Sequence, residues 1–557
     1  MSFDRLRERH AAPAETRSGR SGARRLGLLG LVFLASMAAV GLRMADLAMK
    51  KQAAVSETET AQEKSAPPPS RRLEIVDRNG LPLALTVPTY ELYLDTSLLR
   101  SDADRDYAVE RLAAEFEDLD EAGLREKIAK GGTRLLRRPM GPRDAQAAHD
   151  LGIPAVYTRE RFDRVYPAGR RLAHVLGYVN IDGDGAAGLE AALDTRLKGG
   201  GGPGDEPVRL SVDLRVQNTL HESLSRAMKA FEAKAAAGLV MSARTGEILA
   251  MVSLPDFDPS ERPDQDEIAL KDDSRFFHRA AQGLYELGST FKIFTWALAF
   301  ETGIAEPDDV LPAPKSFTVS GRKIHDLHPI RKPVTVAEGF AKSSNIVAAQ
   351  LALEAGAPAQ RRMFKSLGLT SPVDVEVVEA RAGAPRWDEH WTDATTAATA
   401  YGHGVSVTPL HLATAVATVV NRGRRVRPTL LALDAPPPDG GVVLSPRSSQ
   451  LMLRLMRKVV ADGSGGADVP GLGVAGKTGT GNKPDLKNGG YLQDKVVASF
   501  VAAFPSHDPQ YVVLITLDEA EDRSGATPVR LASRTAAPVA GEVIARIAPI
   551  LGVAPVE

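Results

Sequence analysis

Residues 286–303, ELGSTFKIFTWALAFETG, decide how the chain is read. The second half is apolar on every side, as in a helix buried all round, and Gly303 is placed to end it. Yet Ser289 and Lys292 stand at its start, three residues apart, on one face of the predicted helix. A serine hydroxyl is a weak nucleophile until a base takes its proton. A lysine buried beside it has a depressed pKa and can serve as that base. The helix start adds free N–H groups and positive potential. The stretch therefore predicts an activated serine in the core of a catalytic domain.

Working outward, two further stretches carry matching chemistry. Ser343-Ser344-Asn345 precedes a helical run and reads, by itself, as a helix cap. Lys477-Thr478-Gly479-Thr480 lies on a predicted strand. A second Ser-x-x-Lys, Ser320-Gly321-Arg322-Lys323, falls in a polar, strand-like segment. There residues three apart point to opposite faces, so it is read as coincidence. His325 and His328 have a spacing that suits a metal, but no third ligand stands with them. They and His403 are read as loop residues beside the cleft.

The totals are those of a globular protein of two or three domains. There are 557 residues, 43% hydrophobic and 25% charged, with a formal net charge of −1. Nothing in that balance suggests nucleic-acid binding. No cysteine is present, which excludes thiol nucleophiles, disulfides and thiolate metal sites. Leu26–Leu42, LGLLGLVFLASMAAVGL, is an uncharged run at the short end of bilayer-spanning length. Seven arginines against three acids precede it, so the positive-inside rule places the N-terminus in the cytoplasm and the rest outside. The predicted organisation is a cytoplasmic tail (1–25), a transmembrane anchor (26–48), a tether (49–70), a β-rich region (71–205) and a catalytic region (206–557).

Within 71–205, two strand-like runs flank the turn Arg78-Asn79-Gly80. Gly183-Asp184-Gly185-Ala186-Ala187-Gly188 satisfies GxGxxG. The helix-like run after it leads into a glycine-rich linker rather than a parallel strand, so a packing turn is preferred over a dinucleotide site. In 206–551, a hairpin turning at Arg244-Thr245-Gly246 and three late strands surround a helical middle. This predicts an α+β domain whose mostly antiparallel, five-stranded sheet brings the chain's ends together, with helices on its faces and a helical subdomain.

S-x-x-K, S-x-N and K-T-G in this order resemble the signature of penicillin-binding proteins and related β-lactamases. The resemblance extends along the chain. RRLEIVDRNG, RVYPAGRRLAHVLGYVN and GLEAALD are similar to the pedestal (dimerisation-type) domain of class B, monofunctional, penicillin-binding proteins. TGEILAMVSLPDFDPS and YGHGVSVTPLHLATA are similar to their transpeptidase domain. GGYLQDKVVASFVAAFPSHDPQYVVLITLDE is most similar to the septal, cell-division branch. Leu73 and Leu287 stand where the family usually has Gly and Pro.

The resemblance implies a peptidoglycan D,D-transpeptidase inhibited covalently by β-lactams, working without metal or organic cofactor. Ser289 would attack the carbonyl between the two D-alanines of a stem peptide, and Lys292 would take its proton. Ser343 and Asn345 would position substrate and relay the proton to the leaving D-alanine. Lys477 and Thr478 would hold the substrate carboxylate, and Gly479 would let the strand come close. The N–H groups of Ser289 and Thr480 would form the oxyanion hole. An amine of a neighbouring stem peptide would accept the acyl group. A membrane glycosyltransferase and other division proteins are the partners the family implies. An elongation-type enzyme, a membrane-anchored carboxypeptidase or β-lactamase, and an idle scaffold are the alternatives.

Overall fold

The computed structural model describes residues 71–557 apart from 201–203, 262, 264–273, 389, 438–439, 464–465, 486–487 and 556–557, with Met37, Gly41 and Arg43 described before them. The predicted tail and tether, and all but those three residues of the predicted anchor, thus lie outside the described residues. No helix among the described residues is long and apolar enough to cross a membrane.

The first region is built on β1 (Ile75–Val76), β2 (Pro82–Asp95), β3 (Thr133–Met140) and β4 (Val156–Val165). β2 pairs antiparallel with β1, β3 and β4. The short β5 (Val208–Arg209) pairs parallel with β1 and leads the chain into the catalytic region. The predicted turn lies between β1 and β2. Its Asp77 Oδ1 accepts from the N–H groups of Asn79 (2.7 Å) and Leu81 (2.9 Å), as an Asx turn requires.

The three stretches that resemble the pedestal meet at one buried ion cluster. Glu190, fully buried, takes Arg72 Nη2 at 2.7 Å on one oxygen and Arg164 Nε at 2.7 Å on the other. The GxGxxG segment is the scaffold for this acid. It forms a turn closed by a bridge between Val179 and Gly185, then the short helix Gly188–Ala192 that carries Glu190.

The catalytic region has a five-stranded sheet of β6 (Ala235–Ser242), β7 (Ile248–Leu254), β10 (Ala475–Pro484), β11 (Tyr491–Phe504) and β12 (Tyr511–Asp518), in the order β10-β11-β12-β6-β7. All pairings are antiparallel, and β12 against β6 joins the late strands to the early hairpin. Side chains alternate between two cores. Ala237, Leu239, Met241, Val501 and Leu514 face the helical interior. Ala236, Val240, Phe500, Val513 and Ile515 pack under α1 (Leu214–Ala230) and the last helix, Ala536–Ile547. Burial on both faces explains why these strands read as continuous apolar runs rather than alternating ones. β8 (Phe317–Val319) and β9 (Arg322–Ile324) form a small separate hairpin.

The opening stretch differs from expectation in one respect. Gly288–Phe291 is a 3-10 turn, and the α-helix proper, α2 (Lys292–Thr302), begins at Lys292. At three residues per turn, side chains three apart stack one above the other, which brings Ser289 over Lys292. α2 is buried from Lys292 to Phe300 and ends at Gly303, whose φ is +69°. Trp296 donates to Val336 O (2.9 Å) and Thr295 to Ala400 O (2.8 Å), so the helix's polar groups are answered within the core.

Candidate active site

Four polar atoms from two stretches meet at Lys292. Its side-chain nitrogen, on a fully buried residue, lies 2.9 Å from Ser289 Oγ, 2.5 Å from Ser343 O, 3.1 Å from Ser343 Oγ and 2.7 Å from Asn345 Oδ1. Burial, with Lys477 nearby, holds its pKa well below that of an ordinary lysine. The neutral amine has two N–H donors and one lone pair. Ser343 O and Asn345 Oδ1 are the two short acceptors, which leaves the lone pair for the Ser289 hydroxyl. A protonated lysine has three donors and no acceptor and could not receive that proton.

Ser343 and Asn345 flank the junction of α3 (Val336–Ala341) and α4 (Asn345–Ala355). The middle residue, Ser344, is the N-cap of α4 and accepts from Val347 N at 3.1 Å. Capping and the reactive cluster are thus divided among three adjacent residues. Ser343 has φ +55°, the left-handed region that costs a non-glycine residue strain. That conformation goes with its hydroxyl standing between two lysines, 3.1 Å from Lys292 Nζ and 3.0 Å from Lys477 Nζ.

Lys477, Thr478, Gly479 and Thr480 lie on β10, the strand at the sheet's edge. Lys477 is buried, and burial pushes its pKa down to about 7. Thr478 and Thr480 line a cleft of about 760 Å³ together with Ser289, Ser343 and Asn345. Gly479 is required by close approach. A Cβ there would sit 2.7 Å from Thr290 Cγ2 and closer still to Leu287 O. Gly288, at φ +53°, has the reciprocal constraint, since a Cβ on it would lie 2.7 Å from Thr480 O. The two glycines let the turn that carries Ser289 pack closely against β10 at Thr480.

Ser320 is absent from this assembly. It is exposed at the turn of the β8–β9 hairpin, and Lys323 is exposed with it. His325, His328 and His403 do line the cleft. His403 is lowered to about 4, first by burial and then by repulsion from Lys292 when that lysine is protonated, so it is neutral near pH 7. The cleft residues not singled out from the sequence include Asp326, which accepts from Asn345 N at 2.6 Å, Tyr401, Asp494 and Arg530. Asp326 lies between the two histidines considered above, in HDLHPI, but a lone acid in a loop carries no motif.

Residues 236–544 match the family profile described as the penicillin binding protein transpeptidase domain, which covers more than half of the chain. The chain belongs to this family. Residues 67–208 match a second profile, the penicillin-binding protein dimerisation domain. The probable peptidoglycan D,D-transpeptidase FtsI of Caulobacter vibrioides is 39% identical over 498 residues, spanning 86% of this chain and 82% of that protein. Peptidoglycan D,D-transpeptidase FtsI of Escherichia coli is 28% identical over 478 residues, spanning 80% and 78%. Among solved structures, penicillin-binding protein 3 of Mycobacterium tuberculosis complexed with aztreonam superposes with a TM-score of 0.66 at 25% identity, covering 88% of this chain and 98% of that one. The fold of this penicillin-binding protein is accordingly a transpeptidase domain preceded by a dimerisation-type domain.

Proposed function

We propose that this penicillin-binding protein is a serine D,D-transpeptidase of the cell-division type, which crosslinks peptidoglycan stem peptides and is acylated by β-lactams. The observation that carries the mechanism is the buried amine of Lys292, 2.9 Å from Ser289 Oγ and donating elsewhere to Ser343 and Asn345.

In this reading Ser289 Oγ attacks the carbonyl carbon between the two terminal D-alanines, and its proton passes to Lys292 Nζ. The N–H groups of Ser289 and Thr480 stabilise the resulting oxyanion, each such donor contributing about 2.7–4 kcal/mol. Lys477 and Thr478 hold the terminal carboxylate. The C–N bond then breaks, and Ser343 Oγ hands a proton to the departing D-alanine amine while taking back the one held on Lys292 Nζ, 3.1 Å away. The amine of a second stem peptide attacks the ester on Ser289, forms the crosslink and returns the hydroxyl its proton. The scheme uses no metal or organic cofactor.

The regional assignments continue this reading, with residues 71–205 a pedestal and 206–557 the catalytic domain. Residues 26–48 are a single anchor in the bacterial plasma membrane, with residues 1–25 cytoplasmic and 49–70 a tether. The apolar run at Leu26–Leu42 with arginines before it supports that topology. Partners are a membrane glycosyltransferase, which supplies the glycan strands to be crosslinked, and other division proteins. The test is covalent labelling with a tagged penicillin followed by peptide mass spectrometry. The label is expected on Ser289, and a label on any other residue refutes the mechanism.

A further inference from the structure

The loop after β9 carries an acid to which the scheme above gives no part. Asp326 is 7% exposed, and its carboxylate faces the start of α4. Oδ1 accepts from the backbone N–H of Asn345 at 2.6 Å and of Ile346 at 3.1 Å. Ser344 Oγ donates to the same carboxylate, 2.9 and 3.0 Å from its two oxygens. The preceding residue completes a clamp, because His325 O accepts from Asn345 Nδ2 at 3.0 Å. An amide whose nitrogen is held this way presents its oxygen on the other side, where Lys292 Nζ lies.

The held segment is also the strained one. Ser343 occupies a left-handed conformation that persists only where its neighbours enforce it. On one side, Ser343 N donates to Phe340 O at 3.0 Å at the end of α3. On the other, the Asp326 carboxylate sits at the N-terminus of α4, where peptide dipoles and charge-assisted hydrogen bonds favour an anion.

We propose that Asp326 is a positioning residue for acylation: by holding Ser344, Asn345 and Ile346 it fixes the turn at Ser343 and the Asn345 amide so that both meet Lys292 Nζ. The inference rests on the reading of Ser289 and Lys292 as nucleophile and base. The carboxylate also has an electrostatic effect. The charged and titratable groups facing Lys292 are Lys477 from β10, His403 from the cleft wall and Asp326. Lys477 lowers the pKa of Lys292, and Asp326 opposes it. Because the neutral amine is the active form, loss of the Asp326 charge moves the acid limb of the acylation profile to lower pH.

The experiment uses the full chain with Asp326→Asn. The second-order rate of acylation by a fluorescent penicillin is measured against pH and expressed per folded molecule, with thermal melting alongside. The expected result is a plateau rate reduced on the order of 10²-fold, the cost of roughly 1 Å of misplacement, with the acid limb shifted to lower pH. Ser344→Ala removes one donor and keeps the carboxylate, so it should give a smaller loss with the acid limb unmoved. A purely structural helix cap would lower the melting temperature and leave acylation per folded molecule unchanged. Wild-type acylation by Asp326→Asn, or a loss with an unmoved acid limb, overturns the proposal. Ser289→Ala separates the two claims. If it still takes the label, the site reading fails. If it is silent while Asp326→Asn behaves as wild type, only the role of Asp326 fails.

Discussion

Gly479→Ala is the sharpest perturbation of the contact between β10 and the nucleophile turn. The added methyl would lie 2.7 Å from Thr290 Cγ2, against an ordinary contact of 3.4 Å or more, and nearer still to the Leu287 carbonyl. The Leu287 obstacle is backbone, so a rotamer change cannot relieve it. Either β10 or the turn must move, by about 0.7 Å for the methyl contact and by more for the carbonyl, so the displacement is on the order of 1 Å. That displacement falls between Ser289, on the turn, and Thr480, on β10, whose N–H groups must converge on one oxygen. Misplacement of this size costs on the order of 10²-fold in rate. Overpacking costs stability only about 1–3 kcal/mol, so the protein remains folded. The assay is the second-order rate of acylation by a fluorescent penicillin, paired with a melting curve. Acylation at the wild-type rate by a folded Gly479→Ala protein would refute the argument that this contact builds the oxyanion site.

Other outcomes follow from particular residues. Glu190→Ala leaves Arg72 and Arg164 buried without their shared counter-ion, so stability should fall by about 3–5 kcal/mol in denaturant unfolding, while acylation below the transition persists. Acylation of the free enzyme should follow a bell in pH. It falls on the acid side as Lys292 is protonated, and on the alkaline side, from near 7, as Lys477 loses the charge that holds the ligand's carboxylate. The two lysines share Ser343, so the limbs belong to the pair, and a rate that stays flat up to the ordinary lysine range would contradict this. The penicilloyl-enzyme should be long-lived. The acids lining the cleft among the described residues are Asp326 and Asp494, and both are engaged, the first at the start of α4 and the second with Arg530 at 3.2 Å. Neither is a buried, unpartnered carboxylate of the kind that serves as a general base. Recovery of labelling capacity at typical turnover rates of about 1–10³ s⁻¹ would instead identify a β-lactamase.

Much of this was legible in the sequence because its chemistry is local. Ser289 and Lys292 are one turn apart, and the four residues from Lys477 to Thr480 are contiguous on one strand. Four of the five strands were recognisable as apolar runs long enough to cross a core, and β10 by its place beside them and its motif. What escaped reading depends on contacts made only after folding. The 3-10 geometry at Gly288–Phe291 follows from the pressure of β10, which stands almost two hundred residues later. Glu190 lies 118 residues from Arg72, and no local pattern pairs them. Asp326 occupies a polar loop that looks like any other until α4 is laid across it. In Ser343-Ser344-Asn345, the middle residue caps the helix and its neighbours meet Lys292, a division that spacing alone does not reveal.

In the proposed reaction an acyl group passes through Ser289 to an amine. The direct measurement supplies the protein with a donor peptide ending in D-Ala-D-Ala and an acceptor bearing a free amine, and follows products by mass spectrometry. The expected products are a donor–acceptor conjugate lighter than the two peptides by one D-alanine and a transient donor acyl group on the peptide containing Ser289, with neither species formed by Ser289→Ala. Release of D-alanine with only hydrolysed donor, or conjugate formation undiminished in Ser289→Ala, would contradict the proposed reaction.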